Sequence, residues 1–149
     1  MKLEGKARVK KILLAEDDED DYMFFQSAIA GVSTSIKLLR TSDGIMLSSL
    51  LESSIEPDLI FLDINMPYKN GITCLKEIRE QEQFKHVMVV MYSTTKQKNF
   101  IDESYSAGAD FYLPKPSSLT DIKRQVSELF SNEYLINNCR PPREEFVIE

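Results

Sequence analysis

The chain of 149 residues is long enough for one globular domain with a hydrophobic core, and its 42% hydrophobic and 28% charged residues are ordinary for such a domain. A formal net charge of −6 argues against a sequence-independent attraction to nucleic acid. The longest apolar runs hold four or five residues, against the ~20 that cross a membrane, so we expect no membrane partner. Two cysteines without metal-binding spacing fit a cytoplasmic protein.

The first third of the chain predicts a strand and a helix joined by an acidic run. Residues 1–9 are polar, basic and without periodicity, which indicates a flexible lead-in. Lys11 to Ala15 predicts a buried strand that leads into six consecutive acidic residues, Glu16 to Asp21. The last three suit the first turn of a helix, where carboxylates favour the positive end of the dipole. Its expected apolar face, closing at Gly31, comprises Tyr22, Phe24, Phe25, Ala28 and Ile29.

The remaining elements alternate in the same way. A strand over 36–39 and a helix over 45–51 precede Leu59 to Leu62, a continuous apolar run typical of a strand buried on both faces. That strand ends directly before Asp63. Further along we predict helices over 72–81 and 96–107, the latter ending at Gly108, strands over 87–91 and 111–113, and a last helix that opens with a capping pattern at Ser118.

Five strand and helix pairs predict an α/β fold, a doubly wound (βα)5 parallel sheet with helices on both faces. Right-handed crossovers place the carboxyl ends of all five strands at one edge of the sheet. Taken alone, Asp63 could simply cap a loop. It gains significance because polar residues follow the other strands too, so that this edge should collect Glu16, Asp17, Asp63, Ser93 and Lys115.

These residue types suggest phosphoryl chemistry. Carboxylates close together repel unless a cation lies among them, and oxygen ligands select a hard ion such as Mg²⁺. An aspartate beside Mg²⁺ can act as a nucleophile toward a phosphoryl group, with Lys115 and the Ser93 hydroxyl stabilising the transferring oxygens. The only histidine, His86, precedes a strand at the opposite edge and is expected in an exposed loop.

Four segments carry a resemblance to a known family: Leu-Leu-Ala-Glu16-Asp17-Asp18, Leu-Asp63-Ile-Asn-Met-Pro67-x-x-x-Gly71, Ser93-Thr94 and Lys115-Pro116. Together they resemble the receiver domain of two-component response regulators. The resemblance implies a flavodoxin-like, CheY-like strand order of 2-1-3-4-5 and a receiver domain over residues 10–131. Residues 132–149 would form a C-terminal extension without an output domain.

The resemblance also implies individual roles. Asp63 would accept the phosphoryl group from a histidine kinase or phosphotransfer protein. Glu16, Asp17, Asp63 and the backbone carbonyl of Asn65 would hold Mg²⁺. Lys115 would pair with the phosphoryl group, and its bond to Pro116 is expected to be cis. Ser93 would be the switch hydroxyl, with Tyr112 as the aromatic switch residue that turns inward when Ser93 moves.

The expected protein is therefore a single-domain response regulator, monomeric or weakly dimeric. It would be a phosphoacceptor switch rather than an enzyme, limited to its own phosphorylation and dephosphorylation. Its downstream partner would bind the face formed by the fourth helix, fifth strand and fifth helix. Residues 146–148 could pack as an extra strand, bind a partner or belong to a disordered terminus.

Three other functions fit less well. The first is an interaction module on the same fold that works without phosphorylation, although all five residues of the expected site are present. A phosphatase of the haloacid-dehalogenase kind would need a second aspartate where Asn65 stands. A flavin or dinucleotide binder would need a glycine-rich loop after the first strand, which the sequence lacks.

Overall fold

Five strands alternate with five main helices along residues 9–149, the part of the chain that the computed structural model describes. The elements are β1 Lys11–Ala15, α1 Glu19–Val32, β2 Lys37–Thr41, α2 Gly44–Glu52, β3 Leu59–Leu62, α3 Gly71–Glu80, β4 Met88–Ser93, α4 Lys98–Ser106, β5 Phe111–Pro114, α5 Leu119–Phe130 and a short α6 Glu133–Ile136. Single 3₁₀ turns form at Glu82–Phe84 and Arg143–Glu145. Residues 1–8 of the predicted lead-in lie outside the described residues.

The sheet is parallel throughout, with the order β2-β1-β3-β4-β5. This confirms both the predicted fold class and the predicted strand order. Strands β3 and β4 are buried along their whole length, as their continuous apolar runs require for a sheet covered on both faces. The order leaves β2 and β5 as the edge strands of the sheet.

The side chains of alternate residues in each strand pack in two separate hydrophobic layers, one on each face of the sheet. Leu13, Ile60 and Val89 face the layer that includes α2 and α3, whereas Leu14, Phe61 and Val90 face the layer that includes α1 and α5. Helix α4 adds only partly buried apolar side chains to the first layer. The two layers hold the strands rigidly, so that residues just beyond their carboxyl ends have fixed positions.

Several sequence predictions about helices and strands need correction, among them the strand predicted over 36–39, which spans Lys37–Thr41. Phe24 was predicted on the apolar face of the first helix, but it is 43% exposed. Ile45, which begins the apolar period of the predicted second helix, is 52% exposed, because each residue lies on the solvent side of its helix. Helix α1 does not end at Gly31: it continues to Val32 and stops at Ser33, whose N–H donates to the Ile29 carbonyl. Strand β4 extends two residues further than predicted and includes Ser93.

The chain does not leave the domain after α5. Beyond α6 it turns at Asn138, which has a positive φ of 53°, and then runs along the free edge of β5. Tyr112 N–H donates to the Phe146 carbonyl at 2.9 Å, and Ile148 N–H donates to the Tyr112 carbonyl at 3.0 Å. Of the alternatives for residues 146–148, the structure shows packing at the sheet edge, through a single β-bridge between Val147 and Tyr112 rather than a full sixth strand.

Candidate functional site

The carboxyl edge of the central strands brings three predicted carboxylates together. Glu16 and Asp17 follow β1, and Asp63 follows the neighbouring β3, with its N–H donating to the Ala15 carbonyl at 3.1 Å. One ligand oxygen from each of these three side chains lies within 4.8 Å of the others. An all-oxygen set at this spacing fits a hard divalent cation such as Mg²⁺.

Burial differs sharply among the three carboxylates. Glu16 and Asp63 are buried, whereas Asp17 is exposed and leaves the cluster open to solvent. Burial raises the pKa of Glu16 to about 7, although the ammonium of Lys115 opposes this shift. A buried carboxylate of this kind gains from a nearby cation, since the cation offsets the lost hydration.

Lys115 provides such a cation from the end of β5. Its Nζ lies 2.6 Å from Glu16 Oε1 and 2.9 Å from Asp63 Oδ2. Burial alone would lower the pKa of Lys115, but its interactions with Asp63 and Glu16 outweigh this and raise the pKa above its ordinary value. The lysine therefore remains protonated at the centre of the carboxylate cluster.

The expected cis bond between Lys115 and Pro116 is wrong, because the structure has no cis peptide bond among the described residues. The trans bond still directs the lysine inward. Strand β5 extends to Pro114, and the Lys115 N–H donates to the Ser93 carbonyl at 2.8 Å. Pairing with β4 thus suffices to position the lysine, and the trans isomer is the more stable one before proline.

The two predicted switch residues lie on neighbouring strands. Ser93 ends β4 and is fully buried, and its Oγ accepts a long bond of 3.4 Å from the Thr95 N–H. The Tyr112 ring is also fully buried, and its hydroxyl donates to the Thr95 carbonyl at 2.7 Å. Burial raises the pKa of Tyr112 to about 12. Tyr112 therefore already occupies an inward position, in contact with the loop that follows Ser93.

The turn after Asp63 depends on a glycine. Asn65 N–H donates to Asp63 Oδ1 at 3.1 Å, and Gly71 N–H donates to the Ile64 carbonyl at 2.9 Å. A Cβ on Gly71 would lie only 2.2 Å from the Asp63 carbonyl oxygen. Only a residue without a side chain allows α3 to begin this close to Asp63. The Asn65 side chain itself is exposed.

Sequence reasoning missed Asp21 as a member of the site. It was assigned to the acidic first turn of α1, yet its Oδ2 lies 2.9 Å from Lys115 Nζ. The sequence did hold a signal for the inward position of Asp21. It precedes the buried Phe25 by four residues, about one helical turn, and residues four apart lie on the same face of a helix. Lys115 is thus in contact with three carboxylates from three different elements.

Other features of the described residues bear on the sequence predictions. His86 is exposed beside the amino end of β4, as predicted. Cys74 is buried and Cys139 exposed, and both are free thiols. None of the helices described has the length and apolar character to cross a membrane.

Comparisons with known proteins agree with this geometry. Residues 12–127 match the response regulator receiver domain. The chain is 30% identical to response regulator Rcp1 of Synechocystis over 128 residues, which cover 82% of this chain and 87% of Rcp1. It is 32% identical to chemotaxis protein CheY-3 of Vibrio cholerae over 91 residues, covering 61% of this chain and 69% of CheY-3.

Two solved structures show the same fold. The crystal structure of the phosphorylated cyanobacterial phytochrome response regulator RcpA has a TM-score of 0.78 at 29% identity, covering 87% of this chain and 96% of RcpA. The Mn²⁺-bound form of Rcp1 has a TM-score of 0.77 at 31% identity, covering 89% of this chain and 99% of that one. The chain belongs to the response regulator receiver domain family, as its four sequence segments had indicated.

Proposed function

We propose that this protein is a single-domain response regulator, phosphorylated on Asp63 by a histidine kinase or phosphotransfer protein in a Mg²⁺-dependent reaction. The main support for this proposal is the environment of Asp63. Its carboxylate is nearly buried at the end of a central strand, lies 2.9 Å from the Lys115 ammonium and shares a cluster with Glu16 and Asp17. Phosphorylation then changes the affinity for a partner protein.

The chemistry is a direct transfer between two nucleophiles. A carboxylate oxygen of Asp63 attacks phosphorus as the P–N bond of a phosphohistidine breaks. The imidazole nitrogen keeps the electron pair and the acyl phosphate forms on Asp63. The Lys115 ammonium pairs with one transferring oxygen, and the Ser93 hydroxyl donates to another. Asp63 needs no general base, since it reacts as a carboxylate.

Glu16, Asp17 and Asp63, with the backbone carbonyl of Asn65, would hold the metal ion. When bound, Mg²⁺ supplies positive charge that stabilises the phosphoryl oxygens during transfer. The Mn²⁺-bound structure of Rcp1 supports a divalent ion in this family. Lys115 contacts one oxygen of Glu16 and one of Asp63, so the lysine and a bound ion would share these two carboxylates.

A phytochrome-type histidine kinase is the first candidate donor. RcpA is a phytochrome response regulator, and RPA3017 acts in red light signaling of R. palustris; RPA3017 has a TM-score of 0.76 at 27% identity. A cytoplasmic location fits such a donor and the free thiols. We propose no catalytic turnover beyond the phosphorylation and dephosphorylation of the protein itself.

The test is incubation with Mg²⁺ and a small phosphodonor, followed by intact mass spectrometry. The wild-type protein should gain one phosphoryl group, but none when EDTA is present from the start of the incubation, and Asp63→Asn should gain none under either condition. A wild-type protein that stays unmodified, or an equal gain in Asp63→Asn, would show the proposal to be wrong. The interaction module that works without phosphorylation would then become the better assignment.

A further inference from the structure

The C-terminal segment, defined as residues 140–149, lies on the surface formed by α4, β5 and α5. Its backbone pairs with β5, and its side chains and carbonyls contact both flanking helices. The sequence predicts this same surface as the binding site of the downstream partner. The C-terminal segment therefore covers the free edge of β5 and parts of α4 and α5.

The pairing with β5 is a single parallel β-bridge at the sheet edge. Val147 lies opposite Tyr112 in parallel orientation, and the N–H and carbonyl of Tyr112 bond to the two residues on either side of Val147. An edge strand offers unpaired backbone groups to any extended peptide that fits. These two hydrogen bonds do not depend on side chains, so other sequences can form them.

The main side-chain contact of the C-terminal segment is a single buried aromatic residue. Phe146 is fully buried, with its ring centroid 5.0 Å from that of Tyr105 on α4 and 6.2 Å from that of Tyr112 on β5. Both ring pairs have the tilted or edge geometry that aromatic side chains prefer. A central aromatic residue in a desolvated pocket is the usual source of affinity in a protein interface.

Polar contacts surround this anchor and set the direction of the segment. Arg143 Nη2 lies 2.7 Å from Asp102 Oδ1 of α4, and both side chains are 41% exposed. On the other side, Gln125 of α5 donates to the Ile148 carbonyl at 3.0 Å. Exposed ion pairs add little affinity, so this rim selects register and orientation rather than supplying binding strength.

The C-terminal segment is attached to the domain in a way that would allow a segment of another protein to replace it. It joins the domain through an exposed turn at residues 137–139, and within the segment only Pro141 and Phe146 are buried. By comparison, β4 and β5 pair along four successive positions. The segment has further contacts at the surface, where Arg140 stacks on the Tyr105 ring and donates to the Ala109 carbonyl. Because most of its contacts are open to water, we expect it to open at a lower free energy than the core strands do.

We propose that the surface of α4, β5 and α5 is a strand-addition site and that the C-terminal segment is its resident ligand. A partner protein would bind by placing an extended segment of the same chemistry on β5. That segment would carry an aromatic residue for the pocket between Tyr105 and Tyr112, β-branched residues after it, and an arginine three positions before it to face Asp102. This inference does not rest on phosphorylation of Asp63.

A labelled peptide of residues 140–149 tests the site on the full-length chain. The peptide should bind Phe146→Ala at least ~10-fold more tightly than wild type, in which the attached segment competes at high effective concentration. A peptide carrying the same Phe146→Ala change should bind neither protein. Phe24→Ala, which removes an exposed phenylalanine from α1, is the matched control and should behave as wild type.

Equal affinity of the peptide for Phe146→Ala and wild type would overturn the proposal, as would failure of Phe146→Ala to fold. Amide hydrogen exchange in the wild-type protein gives an independent measurement. The Ile148 N–H should exchange at least ~100-fold faster than the Val90 N–H in the centre of β4, since the segment opens without global unfolding. Exchange of both amides at the same rate would show that the segment is a permanent part of the core.

Discussion

Asp21 alters the charge balance at the site without being one of the clustered metal ligands. It holds the Lys115 ammonium together with Glu16 and Asp63, yet it stands outside the group of three carboxylates that could share an ion. Its side chain is about one-third exposed. In the proposed reaction, Asp21 would therefore compete with the incoming phosphoryl group for the Lys115 ammonium, and its negative charge would repel an anionic phosphodonor.

We expect Asp21→Asn to speed phosphorylation. At saturating Mg²⁺, the rate with acetyl phosphate should rise about two- to fivefold, the effect of removing one partly exposed charge. Asp20→Asn is the matched control, since it removes the same charge from the same helical turn but has no ion pair with Lys115. The rates come from intact mass measured over time. Equal rates in the two variants would contradict a specific role for Asp21.

At the scale of an element, the turn between β3 and α3 depends on the close approach of Gly71 to Asp63. Gly71→Ala should cost about 1–3 kcal/mol of unfolding free energy, because the added methyl group meets backbone atoms that cannot move aside. It should also weaken Mg²⁺ binding, as Asp63 is displaced. Denaturant titration and metal titration measure the two effects.

Gly31→Ala provides the comparison for this prediction. Gly31 lies within α1, and a Cβ there would meet nothing within 4 Å. This variant should gain up to ~1 kcal/mol, since alanine favours the helix, and Mg²⁺ affinity should be unchanged. Similar losses in both variants would mean that the turn tolerates a side chain.

The elements differ in how well the sequence predicts them. Continuous apolar runs predicted β1 and β3 at their observed bounds, since a strand buried on both faces has a simple signature. Helix faces were less certain: Phe24 and Ile45 fit a helical period and still face solvent. Apolar periodicity in a short helix does not specify which neighbour covers each residue.

The site was predictable where topology alone determines it. Parallel strands collect their carboxyl ends at one edge, which is why Glu16, Asp17 and Asp63 could be grouped in advance. Contacts between side chains that lie far apart in the sequence could not be predicted in this way. Arg79 illustrates this, because it pairs with Asp110 at 2.8 Å and donates to three backbone carbonyls, of Phe84, Val87 and Gly108. Such a network exists only after α3, β4 and β5 have packed.

At the scale of the whole molecule, Tyr112 links the loop after Ser93 to the C-terminal segment. Its hydroxyl binds the Thr95 carbonyl, two residues after Ser93, and its backbone binds the C-terminal segment. Its ring also packs against Phe146. A movement of the loop after Ser93 would therefore reach the segment through this one residue.

If the C-terminal segment can detach from the domain, truncating its buried residue should cost less unfolding free energy than truncating a core residue. Phe146 and Phe111 are both fully buried, but Phe111 belongs to β5 and packs in the layer with α1 and α5. Phe111→Ala should lower the unfolding free energy by about 3–5 kcal/mol, as for other large core truncations. Phe146→Ala should cost less than half as much, because the loss cannot exceed the free energy that docks the segment.

Urea denaturation followed by circular dichroism measures both variants. The slope of unfolding free energy against urea should also fall slightly for Phe146→Ala, since a native state with the segment undocked buries less surface. Phe111→Ala should keep the wild-type slope, because the segment stays docked. Equal losses of stability at the two positions would mean that the C-terminal segment folds as one unit with the sheet, and that no partner strand can replace it without unfolding the domain.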